Sequence, residues 1–203
     1  MALNLFGVAY HEAHDATPPV PDTRLVVVRE LAAICGESEY RTLEATPERV
    51  EHYTSVVRTF AAKGPVLPAP VGVVFKSADA VTRWLELHYV TMSDALSFVE
   101  NRVVARVHIW RNGAPEDREA GSDLAALAAE SLRVVRRAAV TTVPLRVEKL
   151  TGIVLSAAFL VEQELWDEFG RAVTSQAATA PTLRFEVTGP WPPYDFVQMQ
   201  LGA

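Results

Sequence analysis

The chain has 203 residues, 49% hydrophobic and 22% charged, which is enough apolar mass to build a core. Its formal charge of -6 excludes a phosphate-neutralising nucleic-acid binder, which needs Lys and Arg clustered on one face. A single cysteine, Cys35, excludes an internal disulfide and every thiolate metal cluster and fits a reducing cytoplasm.

Residues 1–6 have neither a positively charged start nor a long apolar core, so they do not read as a signal peptide. Leu5-Phe6-Gly7-Val8-Ala9-Tyr10 predicts a strand, and the polar, proline-containing residues 11–22 predict an exposed loop. In that loop His11-Glu12-Ala13-His14-Asp15 gathers two imidazoles and two carboxylates. A zinc hydrolase sets its histidines four apart on a helix so that both reach one ion. Here they stand three apart in a loop, which reads as solvated polar chain with no metal. Leu25-Val26-Val27-Val28 is the kind of run found in a central strand covered on both faces. Leu31-Ala32-Ala33-Ile34 is a further apolar run closed by Cys35, whose expected role is a small core residue.

Thr46-Pro47-Glu48 places an N-cap, a first-turn proline and a first-turn acid in sequence, so a helix starts there. Val50, Tyr53, Val57 and Phe60 form its predicted inner face, and Lys63-Gly64-Pro65 ends it. Val71-Gly72-Val73-Val74-Phe75 predicts another buried strand. Ser77 and Asp79 then open one long helix with the stripe Val81, Trp84, Leu85, His88, Met92, Leu96 and Val99. His88 on that stripe reads as a packed side chain, because no second ligand is spaced to join it.

From Val103 the pattern is strand 103–110, helix 122–139, strand 142–148, strand 153–161, helix 162–176 and strand 182–188. That β-α-β-β-α-β order is the ferredoxin-like signature. The basic stretch Arg133, Arg136 and Arg137 reads as a solvated helix face. The apolar run from Ile153 to Val161 is far shorter than the roughly 20 residues of a membrane helix. The expected fold is therefore α+β: an N-terminal domain over 1–100 built as a less regular sandwich, a ferredoxin-like domain over 101–188, and a tail over 189–203 packed on the body.

Catalytic signals are few. No Gly-rich phosphate loop follows a strand, and there is no Gly-x-Ser-x-Gly elbow. The acids Glu162, Glu164, Asp167 and Glu168 suit the start of a helix, where negative charge meets the helix dipole. His108 is the one candidate for a titratable catalytic group, on a strand whose alternation turns it outward.

The tail is unusual. In Thr188-Gly189-Pro190-Trp191-Pro192-Pro193-Tyr194-Asp195-Phe196-Val197 three prolines delete three backbone donors and bias the chain towards extended polyproline geometry, neither helix nor central strand. Trp191, Tyr194 and Phe196 carry large apolar area on that frame and need a surface to pack on. They either staple the C-terminus across the two domains as a clasp or bind a partner directly.

This closing motif resembles that of the gas vesicle accessory proteins of the GvpF/GvpL family. Weaker likeness runs through Leu5-Phe6-Gly7-Val8, the block from Val66 to Phe75, the helix from Ser77, and Phe159-Leu160-Val161 before a helix holding Phe169. The family pattern of Leu-Pro-x-Arg-Phe-Gly is replaced by Leu67-Pro68-Ala69-Pro70-Val71-Gly72, and the loop over 112–121 is short. The resemblance implies a non-catalytic, cytoplasmic accessory protein that works with the gas vesicle, takes no cofactor, and binds the hydrophobic shell protein GvpA and other accessory proteins. Trp191, Pro192, Pro193, Tyr194 and Phe196 are its candidate clasp or partner-binding residues. The alternative from the fold alone is a ferredoxin-like small-molecule-binding protein or cofactor-free oxygenase, with His108 at its site.

Overall fold

A computed structural model describes residues 1–11, 20–41, 43–113, 121–146 and 152–197. The metal-like cluster at 11–15 falls, after His11, outside the described residues, as does most of the loop over 112–121. The chain divides into two compact units, one of residues Met1–Glu100 with Pro192–Ala203 and one of Asn101–Trp191.

In the first unit the strands are β1 (Ala2–Tyr10), β2 (Thr23–Val28), β3 (Leu31–Ser38), β4 (Val66–Pro68) and β5 (Val74–Phe75). They form a sheet ordered β2-β3-β1-β4, with β5 also paired to β1, and every pairing is antiparallel. Helix α1 (Pro47–Ala61) packs on one face, and α2 (Ala78–Leu87) and α3 (Tyr89–Val99) pack on the other.

Strand β1 serves both faces through a bulge. Register shifts between Leu5 and Gly7, so Leu3, Leu5 and Val8 all turn toward α2 and α3 while Phe6 turns toward α1. Gly7 is required at the shift, because a Cβ there would lie 2.7 Å from the Leu67 carbonyl oxygen of β4.

Several elements differ from the sequence reading. The valine run of β2 lies at the sheet edge, and only Val26 of that strand is buried. The interior position belongs to β3, whose Leu31 to Gly36 are all buried between β2 and β1. Its Ala-Ala-Ile-Cys-Gly composition suits close helix packing and hides it from a propensity argument.

Thr46 caps α1 as expected, accepting from the Arg49 N–H at 3.4 Å, but the inner face holds Val56 while Val50 is exposed. Only Val74 and Phe75 of the 71–75 segment pair as strand, because Gly72 at φ +89° turns the chain. The predicted long helix breaks at His88, where φ and ψ of -102° and 11° end α2. The stripe survives the break: Val81, Trp84 and Leu85 are buried before it, and Met92, Leu96 and Val99 after it.

The second unit has the ferredoxin-like plan. Its elements are β6 (Arg102–Arg111), α4 (Gly121–Val135), β7 (Thr141–Pro144), β8 (Ile153–Glu162), α5 (Trp166–Thr179) and β9 (Leu183–Trp191). The antiparallel order β7-β8-β6-β9 puts the first and third strands in the centre. Both helices cover one face, packing on Val107, Ile109, Phe159, Val161 and Leu183. Glu162 ends β8 rather than opening α5 and pairs with Arg102 at 2.9 Å. The last strand runs three residues beyond the predicted Thr188, through Gly189 and Pro190 to Trp191, so the first part of the extended tail pairs as an edge strand. Proline is tolerated because β9 is an edge strand.

Candidate binding surfaces

The five tail residues separate into two settings. Trp191 closes β9 opposite Val104, and its indole N–H donates to the Thr188 hydroxyl at 3.2 Å. Gly189, two residues earlier at φ +131°, is required there, since a Cβ would lie 2.6 Å from the Val104 carbonyl oxygen. From Pro192 on, the chain belongs to the first unit. Pro193 is buried, and the Tyr194 and Phe196 amides donate back to the carbonyls of Pro192 and Pro193, forming a turn. That turn sets Tyr194 into the cluster of Phe6, Ile34, Tyr53, Val56, Val57, Phe60 and Val66, with its ring 6.3 Å from that of Tyr53. Val197 packs on the opposite core with Leu3 and Leu5, and Phe196 is half-buried.

A cleft of 860 Å³ opens on the α1 face of the first unit's sheet, with Asn4, Phe6 and Gly36 on one wall and Arg49, His52 and Tyr53 on the other. Gly36 leaves room for the Phe6 ring, which a Cβ would meet at 2.9 Å. The Asn4 Oδ1 is buried with no hydrogen-bond partner among the described residues. Among the described residues the lining sets four carboxylates (Asp22, Glu37, Glu39, Glu48) against three arginines (Arg24, Arg41, Arg49). The sequence did not mark these residues as one site, because they come from five separate segments and no spacing links them.

Tyr53 joins the tail to this unit's core. Its hydroxyl donates to the Ala69 carbonyl at 2.5 Å, and burial, followed by the nearby Tyr194, raises its pKa above the ordinary tyrosine value. Burial pushes the Cys35 thiol up to about 12, against a smaller opposing pull from Arg24. A thiol held neutral under α2 and α3 is a packing group. Cys35 is therefore expected to resist a thiol-reactive disulfide reagent in the native protein and to react completely once denaturant is added. Rapid native labelling would contradict its burial.

His108 lies on β6 with its Nδ1 2.8 Å from the hydroxyl of the buried Ser156 on β8. Its other cross-strand neighbour, Glu186, accepts from the Trp110 indole at 3.0 Å. The cleft lining contains neither His108 nor any other residue of the second unit. No described helix is long and apolar enough to cross a membrane.

The family described as gas vesicle synthesis protein GvpL/GvpF matches this chain over residues 11–128 and 114–198. Gas vesicle protein F2 of Halobacterium salinarum is 27% identical over 209 aligned residues, covering 100% of this chain and 88% of that protein. Gas vesicle protein F1 of the same organism is 25% identical, covering 86% and 81%. The fold is similar to the crystal structure of GvpF from Anabaena sp. PCC7120, with a TM-score of 0.80 at 16% identity over 98% of this chain and 97% of that one. It is also similar to GvpF from Microcystis aeruginosa, with a TM-score of 0.74 at 14% identity over 98% and 99%. A family match through both units, joined to a closing Pro/aromatic motif that is built into the fold, makes this chain a member of the GvpL/GvpF family of gas vesicle accessory proteins.

Proposed function

We propose that the protein is a non-catalytic assembly factor that acts in the cytoplasm, in association with gas vesicles, by binding the hydrophobic shell protein GvpA and other accessory proteins. The observation that carries this reading is the family match extending through both units. Two features support it. Among the described residues, Cys35 is packed in a core and the His108 ring is hydrogen-bonded to Ser156. Apolar surface, in contrast, is left exposed on regular elements, including Leu87, Val90 and Phe98. A factor that shields an apolar client needs surface of that kind.

The test is co-expression of the tagged chain with GvpA, followed by affinity capture in the presence and absence of the other accessory proteins. GvpA is expected to be retained with the tagged chain. Failure to retain it in either setting would overturn the reading. A small-molecule-binding or oxygenase role would instead require a ligand whose binding depends on His108, and His108→Ala is expected to leave GvpA capture unchanged.

A further inference from the structure

We infer that Asn112 is a site of covalent self-modification, where the Gly113 amide nitrogen closes on the Asn112 side chain and converts it, through a cyclic imide, to aspartate and isoaspartate. The assembly role neither requires nor supplies this reaction.

Asparagine is a thermolabile residue, but its lability depends on setting. The ring closes fastest where the following residue does not crowd it and water reaches the side chain. The chain has three asparagines, Asn4, Asn101 and Asn112. Asn4 lies inside β1, and Leu5 after it is fully buried, so the strand is not free to fold back on its own side chain. Asn101 is exposed, but Arg102 follows it with a bulky side chain, opens β6 and pairs with Glu162 at 2.9 Å.

Asn112 differs on each count. It is exposed and stands one residue beyond the end of β6. Gly113 follows it at φ +122°, a conformation that glycine adopts without penalty. No atom lies within 4 Å of where a Cβ on Gly113 would stand. The attacking nitrogen therefore belongs to the residue with the most backbone freedom, in open space, beside an exposed amide.

The reaction balances with water alone. The Gly113 nitrogen gives up its proton and bonds to the Asn112 Cγ. The bond from Cγ to Nδ2 breaks, and Nδ2 leaves as ammonia with that proton. Water then opens the imide, giving aspartate by attack at Cγ and isoaspartate by attack at the main-chain carbonyl.

The product alters a structural link. Unmodified, the Asn112 Nδ2 donates to the Pro181 carbonyl at 3.0 Å, and its backbone N–H donates to the Thr182 carbonyl at 2.9 Å. These bonds tie the exit of β6 to the entry of β9. A carboxylate only accepts, so the bond to Pro181 is lost and negative charge is left facing a carbonyl oxygen.

The experiment holds the full folded chain at neutral and at mildly alkaline pH in heavy-oxygen water, then digests it and maps each asparagine by mass spectrometry. Asn112 is expected to change from amide to acid with uptake of one labelled oxygen, at least about tenfold faster than Asn101. The rate should rise with pH, because the deprotonated nitrogen attacks. An isoaspartate-specific methyltransferase should label the peptide holding residues 112 and 113. Asn112→Gln keeps an amide but lengthens the side chain, so it is expected to lose the labelling and to remain folded. Asn112→Asp, which reproduces one product, should lower the melting temperature of the second unit.

Equal rates at Asn112 and Asn101 would overturn the proposal. So would modification of Asn112 only after denaturation, which would show that the folded turn protects it. Unchanged melting of Asn112→Asp would overturn the stated effect on the link between β6 and β9.

Discussion

Replacing Phe159 with alanine is expected to destabilise the ferredoxin-like unit by about 3–5 kcal/mol, the range for truncating a fully enclosed aromatic side chain. Phe159 is 0% exposed on the central strand β8, and its ring centroid lies 5.3 Å from that of Phe169 on α5. It therefore joins the sheet to the helix that closes it. Removing it loses the transfer energy of the ring and leaves a cavity that β6 and α5 cannot both collapse into. For a unit of this size the loss corresponds to a fall of more than about 10 °C in melting temperature. Calorimetry is the suitable measurement, because two units need not unfold in one transition. The Phe159/Phe169 double truncation is expected to cost less than the sum of the singles, since one ring's vacancy relieves the other's packing. A single-mutant cost below about 1 kcal/mol would show that the ring is not enclosed.

The same strand shows what the sequence could convey. The run from Ile153 to Val161 read as strand, and Ser156 to Val161 are buried without interruption at the centre of the sheet. An equally apolar run, Leu25 to Val28, read the same way and proved to be an edge strand. Local pattern reports that a segment pairs and not where in the sheet it does so. Position is set by partners distant in the chain. Strand β3 is the converse case, because it lies inside the sheet with small residues that carry little strand propensity and fit under two helices.

Caps were the most legible signals, since Thr46 and Ser77 each bond the amide three residues on, and that chemistry is local. The break at His88 was invisible because the inward stripe keeps its spacing across it.

For binding, the legible and illegible features divide in the same way. The tail announced itself through three prolines and three aromatics in sequence, although its first residues extend β9 and its later ones enter a core of the first unit. The 860 Å³ cleft did not announce itself. The cleft needs five segments brought together.

Replacing Tyr53 with alanine is expected to cost the first unit about 3–5 kcal/mol, and the cost should depend on the tail. Tyr53 is 7% exposed, its ring lies 6.3 Å from those of both Phe6 and Tyr194, and its hydroxyl satisfies the Ala69 carbonyl. Tyr53→Phe keeps the ring and loses only the hydrogen bond, so a cost of about 1–2 kcal/mol is expected. Tyr194→Ala should cost about 1–3 kcal/mol for a half-buried ring, with a coupling to Tyr53→Ala of about 0.5–1.5 kcal/mol in a double-mutant cycle.

Alkali gives an independent reading. Tyr53's folded pKa is raised by burial, so its contribution to stability is fully present below the unfolded value of about 10 and is lost as pH rises through the folded value. Tyr53→Phe should therefore flatten the loss of stability above about pH 10. If Tyr194→Ala instead leaves melting unchanged while GvpA capture disappears, the tail belongs to a partner surface. If stability falls and the couplings appear, Tyr194 serves as a core residue delivered from the far end of the chain, and the recruiting surface lies elsewhere.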